Sequence, residues 1–353
     1  MKKIAVIGGG IFGCTAAAVL GKDAEVVLFE PGALLNGATL HNQFRHHLGF
    51  HYPRSAETRK EILDDQESFN SIYKDCIDKS FPSYYAIAKD SKTSLDKFLE
   101  IYKDYDIVER WPDNYMFNKN YAVACFETGE GVYDLESLIH ICIANLSKSD
   151  VKVIKAAITN VAIKGSEKIV YYGNDTCDYF DYVVDATYSK TNIFREWLNL
   201  PKINILYRYK EIPVVALPLR IPKCAITLID GDYGTILPYI AGVGNLFTVG
   251  DVELSIHEEF NLFPEYSIKG SYFHDTSRSK RIIENCIKWY PILESAILHH
   301  TMFSVLPIVE EQNNNDGRPT VVTNHGNGCW SLFSGKVVTA VQSALQVKKE
   351  MEI

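Results

Sequence analysis

The segment Thr39-Leu-His-Asn-Gln-Phe-Arg-His-His-Leu-Gly-Phe-His-Tyr-Pro-Arg54 gathers His41, His46, His47 and His51 with Arg45, Tyr52 and Arg54. Four of the chain's ten histidines thus fall within eleven residues, a density that a solvated loop does not need. A neutral imidazole within hydrogen-bond reach can take a proton as a neighbouring bond breaks, for a gain of roughly 10²–10⁴-fold in rate. The guanidinium groups of Arg45 and Arg54 suit an anionic partner. Each residue also has an ordinary reading. His46 and His51 can hydrogen-bond backbone, and Arg54 can pair with Glu57 or Glu61 on the helix that follows. A metal site built from the histidines lacks flanking carboxylates and any i, i+4 helical pair, so no metal is expected.

What positions such a segment lies just upstream of it. Ile4-Ala-Val-Ile7 is an apolar run suited to a parallel strand buried on both faces. Gly8-Gly-Gly-Ile-Phe-Gly13 follows and matches G-x-G-x-x-G. Gly8 permits the tight turn, Gly10 lets a pyrophosphate approach the backbone, and Gly13 lets helix pack on strand. Ile11 and Phe12 then open the helix whose N-terminus faces the phosphates. Val26-Val-Leu-Phe29 forms the next strand and ends at Glu30, where a carboxylate can accept hydrogen bonds from a ribose 2′-hydroxyl. A dinucleotide is therefore expected, and Glu30 disfavours a 2′-phosphate. The loop alone does not choose between NAD and FAD.

Composition narrows the class. The chain has 353 residues, 46% hydrophobic and 23% charged, with a net charge of -8 and no basic cluster, which argues against nucleic acid. The eight cysteines include no C-x-x-C pair, which fits free thiols in a reducing, cytoplasmic compartment. Lys2 and Lys3 before an apolar stretch imitate a signal peptide, but Gly8, Gly9, Gly10 and Gly13 crowd its centre. No other segment approaches the roughly 18–20 apolar residues of a spanning helix, so no membrane partner is expected. Oligomeric state is not legible.

Two later segments favour FAD. Phe180-Asp-Tyr-Val-Val-Asp-Ala-Thr187 reads as a strand ending in small residues, with Ala186 and Thr187 at the nucleotide. It resembles the second nucleotide-contact strand of flavoproteins in the D-amino acid oxidase and glycine oxidase superfamily. Asn324-His-Gly-Asn-Gly328 precedes a helix expected from about Ser334 to Lys348. It resembles the loop that meets the isoalloxazine ring there, which implies flavin contacts at Gly326, Asn327 and Gly328. Gly131 to Leu138 resembles the superfamily's opening of the helix before its adenine-side strand. Val151–Val153 and Ile158–Ile163 resemble the paired strands that follow, which implies an adenine contact at Ile158. Asp316-Gly-Arg-Pro319 resembles the D-G-x-P turn before the last flavin strand.

The resemblance implies an α/β (α+β) architecture in two domains. Residues 1–80, 131–200 and 305–353 would form a discontinuous, Rossmann-like FAD domain. Residues 81–130 and 201–304 would form a substrate domain on a largely antiparallel sheet. Strands are expected at Ile212–Leu217, Cys224–Ile229, Thr235–Tyr239 and Asn245–Val249, and an amphipathic helix over Lys280–Leu298. Asn313–Asn315 reads as a polar turn.

In the superfamily the histidine-rich segment runs from the pyrophosphate to the flavin's reacting face, which implies Thr39 and Asn42 as donors to the cofactor. His47-Leu-Gly-Phe-His-Tyr52 is H-x-G-x-x-Y, similar to the L-2-hydroxyglutarate and glycerol-3-phosphate dehydrogenase branches, which oxidise secondary alcohols. The expected reaction is hydride transfer from a CH–OH carbon of a hydroxy acid or sugar derivative to flavin N5. His47 takes the hydroxyl proton, Tyr52 orients, and Arg45 and Arg54 anchor an anionic group.

One departure bears on substrate. Relatives that oxidise amino acids carry an arginine before a proline, where this chain has Leu306-Pro307. Amine oxidation with Arg45, Arg54 or Arg318 as anchor stays open as the alternative, as does a flavin-binding protein without turnover. Attachment of the flavin through a histidine is also left open. Trp330 and Tyr239 read equally as pocket walls or as core.

Overall fold

The computed structural model describes residues 1–263, 276–309, 317, 318 and 320–353. The first strand, β1 (Lys3–Ile7), leads through the glycine turn into α1 (Ile11–Leu20), and the chain returns as β2 (Glu25–Phe29), parallel to β1. Ile4, Ala5 and Val6 are fully buried because both sheet faces are covered. The sheet has six strands in the order Val321–Asn324, Cys329–Phe333, Tyr182–Asp185, β1, β2, Lys152–Ile154. Only the edge pairing of the first two is antiparallel.

Lys152–Ile154 and Ile158–Lys164 do not pair with each other as expected. The first extends the parallel sheet, and the second joins Glu167–Tyr172 and Thr176–Phe180 in a separate three-stranded sheet.

The histidine-rich segment ends against α2 (Ala56–Tyr73), whose N-cap Ser55 accepts a hydrogen bond from the Thr58 N–H. A small sheet of Arg45–His46, Gly131–Tyr133 and Ile77–Asp78 holds the start of the segment.

A nine-stranded, mostly antiparallel sheet stands over this region. Its spine is β3 (Ile205–Ala216), paired along its whole length with β4 (Ile297–Val309). The other edge of β3 is shared by Ile256–Phe260 and Leu246–Asp251. Gly234–Pro238, Ala225–Ile229, Ser83–Ala88, Ala122–Thr128 and Ile107–Glu109 complete the order.

Two helices are shorter than their sequence pattern suggests. The expected Lys280–Leu298 helix covers only Ser279–Cys286, a single 3-10 turn at Pro291–Ser295 follows, and β4 begins at Ile297. Pro291 has no N–H to continue the ladder, so the chain breaks there. The C-terminal helix, α3 (Ala340–Glu350), begins after one 3-10 turn at Val337–Thr339 and packs on α1. Asn313–Asn315, Asp316 and Pro319 lie outside the described residues. Among the described residues no helix is long and apolar enough to cross a membrane.

Candidate active site

A cavity of about 1160 Å³ runs from the C-terminal ends of β1 and β2 to the face of the nine-stranded sheet. One end is lined by Phe29, Glu30, Ile158 and Trp197, and the middle by Gly8, Gly10, Ile11, Phe12, Thr39, Ala186 and Thr187. The far end is lined by His47, His51, Tyr52, Lys210, Arg318 and Ser334.

The glycine turn is built by steric necessity. Gly8 has φ +103°, and a Cβ there would stand 2.7 Å from the Ala186 carbonyl oxygen. A Cβ on Gly13 would meet the Gly8 carbonyl oxygen at 1.7 Å, so Gly13 packs helix on strand and does not itself line the cavity. A Cβ on Gly10 would meet only Thr39 Oγ1, at 3.4 Å, which leaves open ground above the first turn of α1. The first N–H groups of a helix have no intrahelical partner and carry partial positive charge. Thr39 Oγ1 accepts one of them, from Ile11 at 3.0 Å, so its own proton is free to donate into the cavity. Glu30 accepts the Gly9 and Gly32 N–H groups at 2.8 and 2.9 Å and keeps lone pairs for a diol. These residues fit the pyrophosphate and ribose of a dinucleotide such as FAD.

Asn42 lines the cavity as expected, with its amide donating to the Ala38 and Thr39 carbonyls and accepting the Phe44 N–H, so its side chain shapes the loop. One cofactor expectation is corrected. Gly326, Asn327 and Gly328 form the hairpin before Cys329–Phe333 and do not line the cavity. The Gly328 carbonyl accepts the Val183 N–H, and a Cβ on Gly328 would crowd the Asp181 carbonyl, at the N-terminal end of the sheet. Cys329–Phe333 runs parallel to β1 through Tyr182–Asp185, so the segment after it reaches the cavity. That segment is Ser334, Gly335 and Val337. Strand direction is the signal that separates the two ends, since ligands gather outside the carboxyl ends of such strands.

At the far end, Gly49 (φ +103°) turns the chain so that the Tyr52 N–H reaches the Gly49 carbonyl at 3.0 Å. The rings of His47, His51 and Tyr52 then cluster, with centroids 5.3 to 5.8 Å apart. The turn is pinned by Gln66 Nε2 donating to the His47 carbonyl and by the Leu48 N–H donating to Glu130. Burial, then the charge of Arg45, holds His47 well below the ordinary histidine range. His51 is exposed on the cavity, and desolvation inside it with the charges of Arg45, Arg318 and Lys210 lowers it to about 3. Both imidazoles are therefore neutral proton acceptors. Burial raises Tyr52, which stays protonated.

The arginines are placed differently from expectation. Arg45 touches the cavity wall, but its guanidinium donates to Tyr85 at 2.7 Å, Thr227 at 2.7 Å and Glu130 at 3.3 Å. Those bonds tie it into the wall as a structural cation rather than a substrate anchor. Arg54 does not line the cavity and pairs with Asp230 at 2.8 Å, not with Glu57 or Glu61. His46 is buried against Phe69 and Tyr133, away from the cavity. Trp330 donates to Glu350, Tyr239 packs on Phe44, and neither lines the cavity.

Lys210 and Arg318 were not expected together. Both line the cavity, and among the described residues neither side chain has a hydrogen bond or ion pair. Burial, then Arg318 and Arg208, lowers Lys210 to about 8. Lys210 pairs with Ser304, and Leu306 sits one step along the same sheet face opposite Arg208. Sequence offered no signal for Lys210, a single lysine in a strand of tyrosines. Among the described lining residues the only carboxylate is Glu30, at the other end. No cluster of three or more potential metal ligands occurs among the described residues.

The FAD-dependent monooxygenase FPY4 of Fusarium mangiferae is 28% identical over 260 residues, which are 70% of this chain and 63% of that protein. The chain thus matches less than two thirds of its relative's length. The glycine oxidase structure from Bacillus cereus superposes with a TM-score of 0.78 at 13% identity, covering 100% of this chain and 96% of that one. The reduced L-α-glycerophosphate oxidase of Mycoplasma pneumoniae with FAD bound gives 0.78 at 14%, covering 99% and 95%. At such identities they share the fold. The model for "FAD dependent oxidoreductase" matches residues 3–335, and on that span the chain belongs to this family of FAD-dependent enzymes.

Proposed function

We propose that the chain oxidises a CH–OH carbon in a small anionic substrate, a hydroxy acid above all. Bound FAD supplies the hydride acceptor. Arg318 and Lys210 bind the substrate's anionic group, Arg318 with its planar fork and Lys210 as a point charge. His47 takes the hydroxyl proton while Tyr52, protonated, donates a hydrogen bond that orients the substrate oxygen. His51 shares the cavity wall and adds a second neutral imidazole. The nine-stranded sheet, with residues 81–130 and 201–304, serves as the substrate domain.

The observation that carries this reading is the charge at the far end of the cavity: two unpaired cations, neutral imidazoles and no carboxylate among the described lining. An alcohol with a remote anion suits that field. A substrate ammonium would meet repulsion from both cations and would have to enter as the neutral amine, at a cost that grows as pH falls. Amine oxidation is the second reading, supported by the same anion anchor.

Anaerobic mixing with 2-hydroxy acids and with amino acids, followed at the flavin's visible band, separates the two. Bleaching by hydroxy acids alone is expected, and bleaching by amino acids alone overturns the choice. His47→Ala should keep FAD and slow bleaching by about 10²-fold or more. An unchanged rate removes His47 from its role.

A further inference from the structure

Lys336 is buried without touching the cavity. Its side chain has 0% exposure, and its ammonium lies 2.8 Å from Glu61 Oε2 and donates to the backbone carbonyl of Arg318. The residues on either side, Gly335 and Val337, line the cavity, as does Arg318. Burial pulls Lys336 below the ordinary lysine range, and Glu61 opposes that effect.

The contacts around this pair converge on one short segment. Thr58, one turn before Glu61 on α2, accepts the Arg318 N–H at 3.1 Å. Glu61 Oε1 accepts the Thr320 N–H at 2.8 Å. The Thr320 hydroxyl is hydrogen-bonded to those of Ser334 and Thr339, both at 2.8 Å. The Lys336 N–H in turn reaches Ser334 Oγ at 3.1 Å, and the Thr339 hydroxyl reaches the Lys336 carbonyl at 2.9 Å. Three parts of the chain far apart in sequence are therefore laced together: one face of α2, the residues Arg318 and Thr320, and residues 334–339. Lys336 is the side chain that grips Arg318 and α2 at once.

A buried ion pair is a poor device for stability, because desolvation offsets most of its attraction, and apolar groups of similar size often do as well. What it supplies is geometry. The carbonyl of Arg318 is held by a full charge and its N–H by Thr58, so both ends of that residue's backbone are fixed while its side chain reaches the cavity. We propose that Glu61 and Lys336 are positioning residues, a brace that sets Arg318 against the Ser334–Val337 loop so that the anion is held at a fixed place in the cavity. This rests on the reading of Arg318 as an anion anchor.

The test uses the holoenzyme and acetate as probe, with binding read from the visible difference spectrum of the bound flavin. Glu61→Gln keeps size and the acceptor for Thr320 but removes the charge, and should weaken acetate about tenfold with FAD still bound. The double variant Glu61→Gln with Lys336→Met removes both charges. It should regain thermal stability relative to Glu61→Gln without regaining acetate affinity, whereas a merely charge-balancing role predicts recovery of both. In an Arg318→Met background, Glu61→Gln should change acetate binding by less than about twofold, since a brace that acts through Arg318 has nothing left to position.

A full additional loss in that background overturns the brace and leaves the anchor standing. Unchanged acetate binding in Glu61→Gln, or its recovery in the double variant, does the same. No response of the wild type to acetate, or no effect of Arg318→Met alone, overturns the anchor and the brace with it.

Discussion

Lys210→Met should make the protein more stable at neutral pH and less so at alkaline pH. Burial and two arginines bring Lys210 from 10.5 to about 8. In the unfolded chain the amine keeps its proton up to about pH 10.5, and in the fold only up to about 8. Between those values the unfolded chain holds more protons, so wild-type stability climbs with pH, and below pH 8 the whole penalty is present. The drop corresponds to about 3 kcal/mol. Lys210 keeps some exposure to the cavity, so about 2–3 kcal/mol is expected in practice.

Urea unfolding of both proteins as holoenzymes at pH 7 and pH 10 measures this. The packing change in the variant contributes equally at both pH values and cancels in the comparison. The variant's advantage should shrink by about 2 kcal/mol between pH 7 and pH 10. Acetate should narrow the gap at pH 7, because an anion between Arg318 and Lys210 stabilises the wild type more than a variant that keeps Arg318 only. A difference that is the same at both pH values, or larger at pH 10, refutes the assignment of Lys210 as a charged, unpaired group in the cavity.

Gly13→Ala puts a methyl group 1.7 Å from the Gly8 carbonyl oxygen and should leave little soluble, folded protein. Gly10→Ala meets only Thr39 Oγ1 at 3.4 Å, so its melting temperature should match the wild type without cofactor while dialysis shows FAD bound at least about tenfold more weakly. Arg54→Ala breaks the pair with Asp230, partly exposed at 28% and 11%, and should cost about 1 kcal/mol in denaturant with the rate of flavin reduction unchanged. Because His47 and His51 both titrate below the ordinary histidine range, the rate of flavin reduction should stay flat from pH 7 to pH 5. A fall centred near pH 6.5 in stopped-flow traces contradicts their neutral state.

What sequence made legible was what the chain builds locally. The glycine turn, α1 and Glu30 lie within thirty residues and each does one steric or hydrogen-bonding task. The clustering of His47, His51 and Tyr52 follows from one turn at Gly49, so its spacing alone suggested the arrangement. The roles of the arginines are not legible in sequence because their partners are distant: Glu130 lies 85 residues from Arg45, and Asp230 lies 176 from Arg54. A sequence shows an arginine's charge and not whether a remote carboxylate has claimed it. Lys210 was hidden for the converse reason, since its importance lies in partners it lacks. Gly326–Gly328 had the right composition at the wrong end of a strand, and only the register with Tyr182–Asp185 reveals which end faces the cofactor.

The parallel sheet constrains how the protein is made. β1 is translated long before its neighbour Tyr182–Asp185, and that strand in turn waits for Cys329–Phe333. α1 also packs on α3, which lies downstream of all these strands. The sheet therefore cannot close until Cys329–Phe333 has emerged, and the cavity beside its strand ends is complete only then. Until then the apolar edges of β1 and the Ala-rich face of α1 lie uncovered, which is the condition under which long-range parallel sheets fold slowly and aggregate. Yield of active enzyme in a cell should thus depend on chaperone capacity during that interval more than on the supply of flavin.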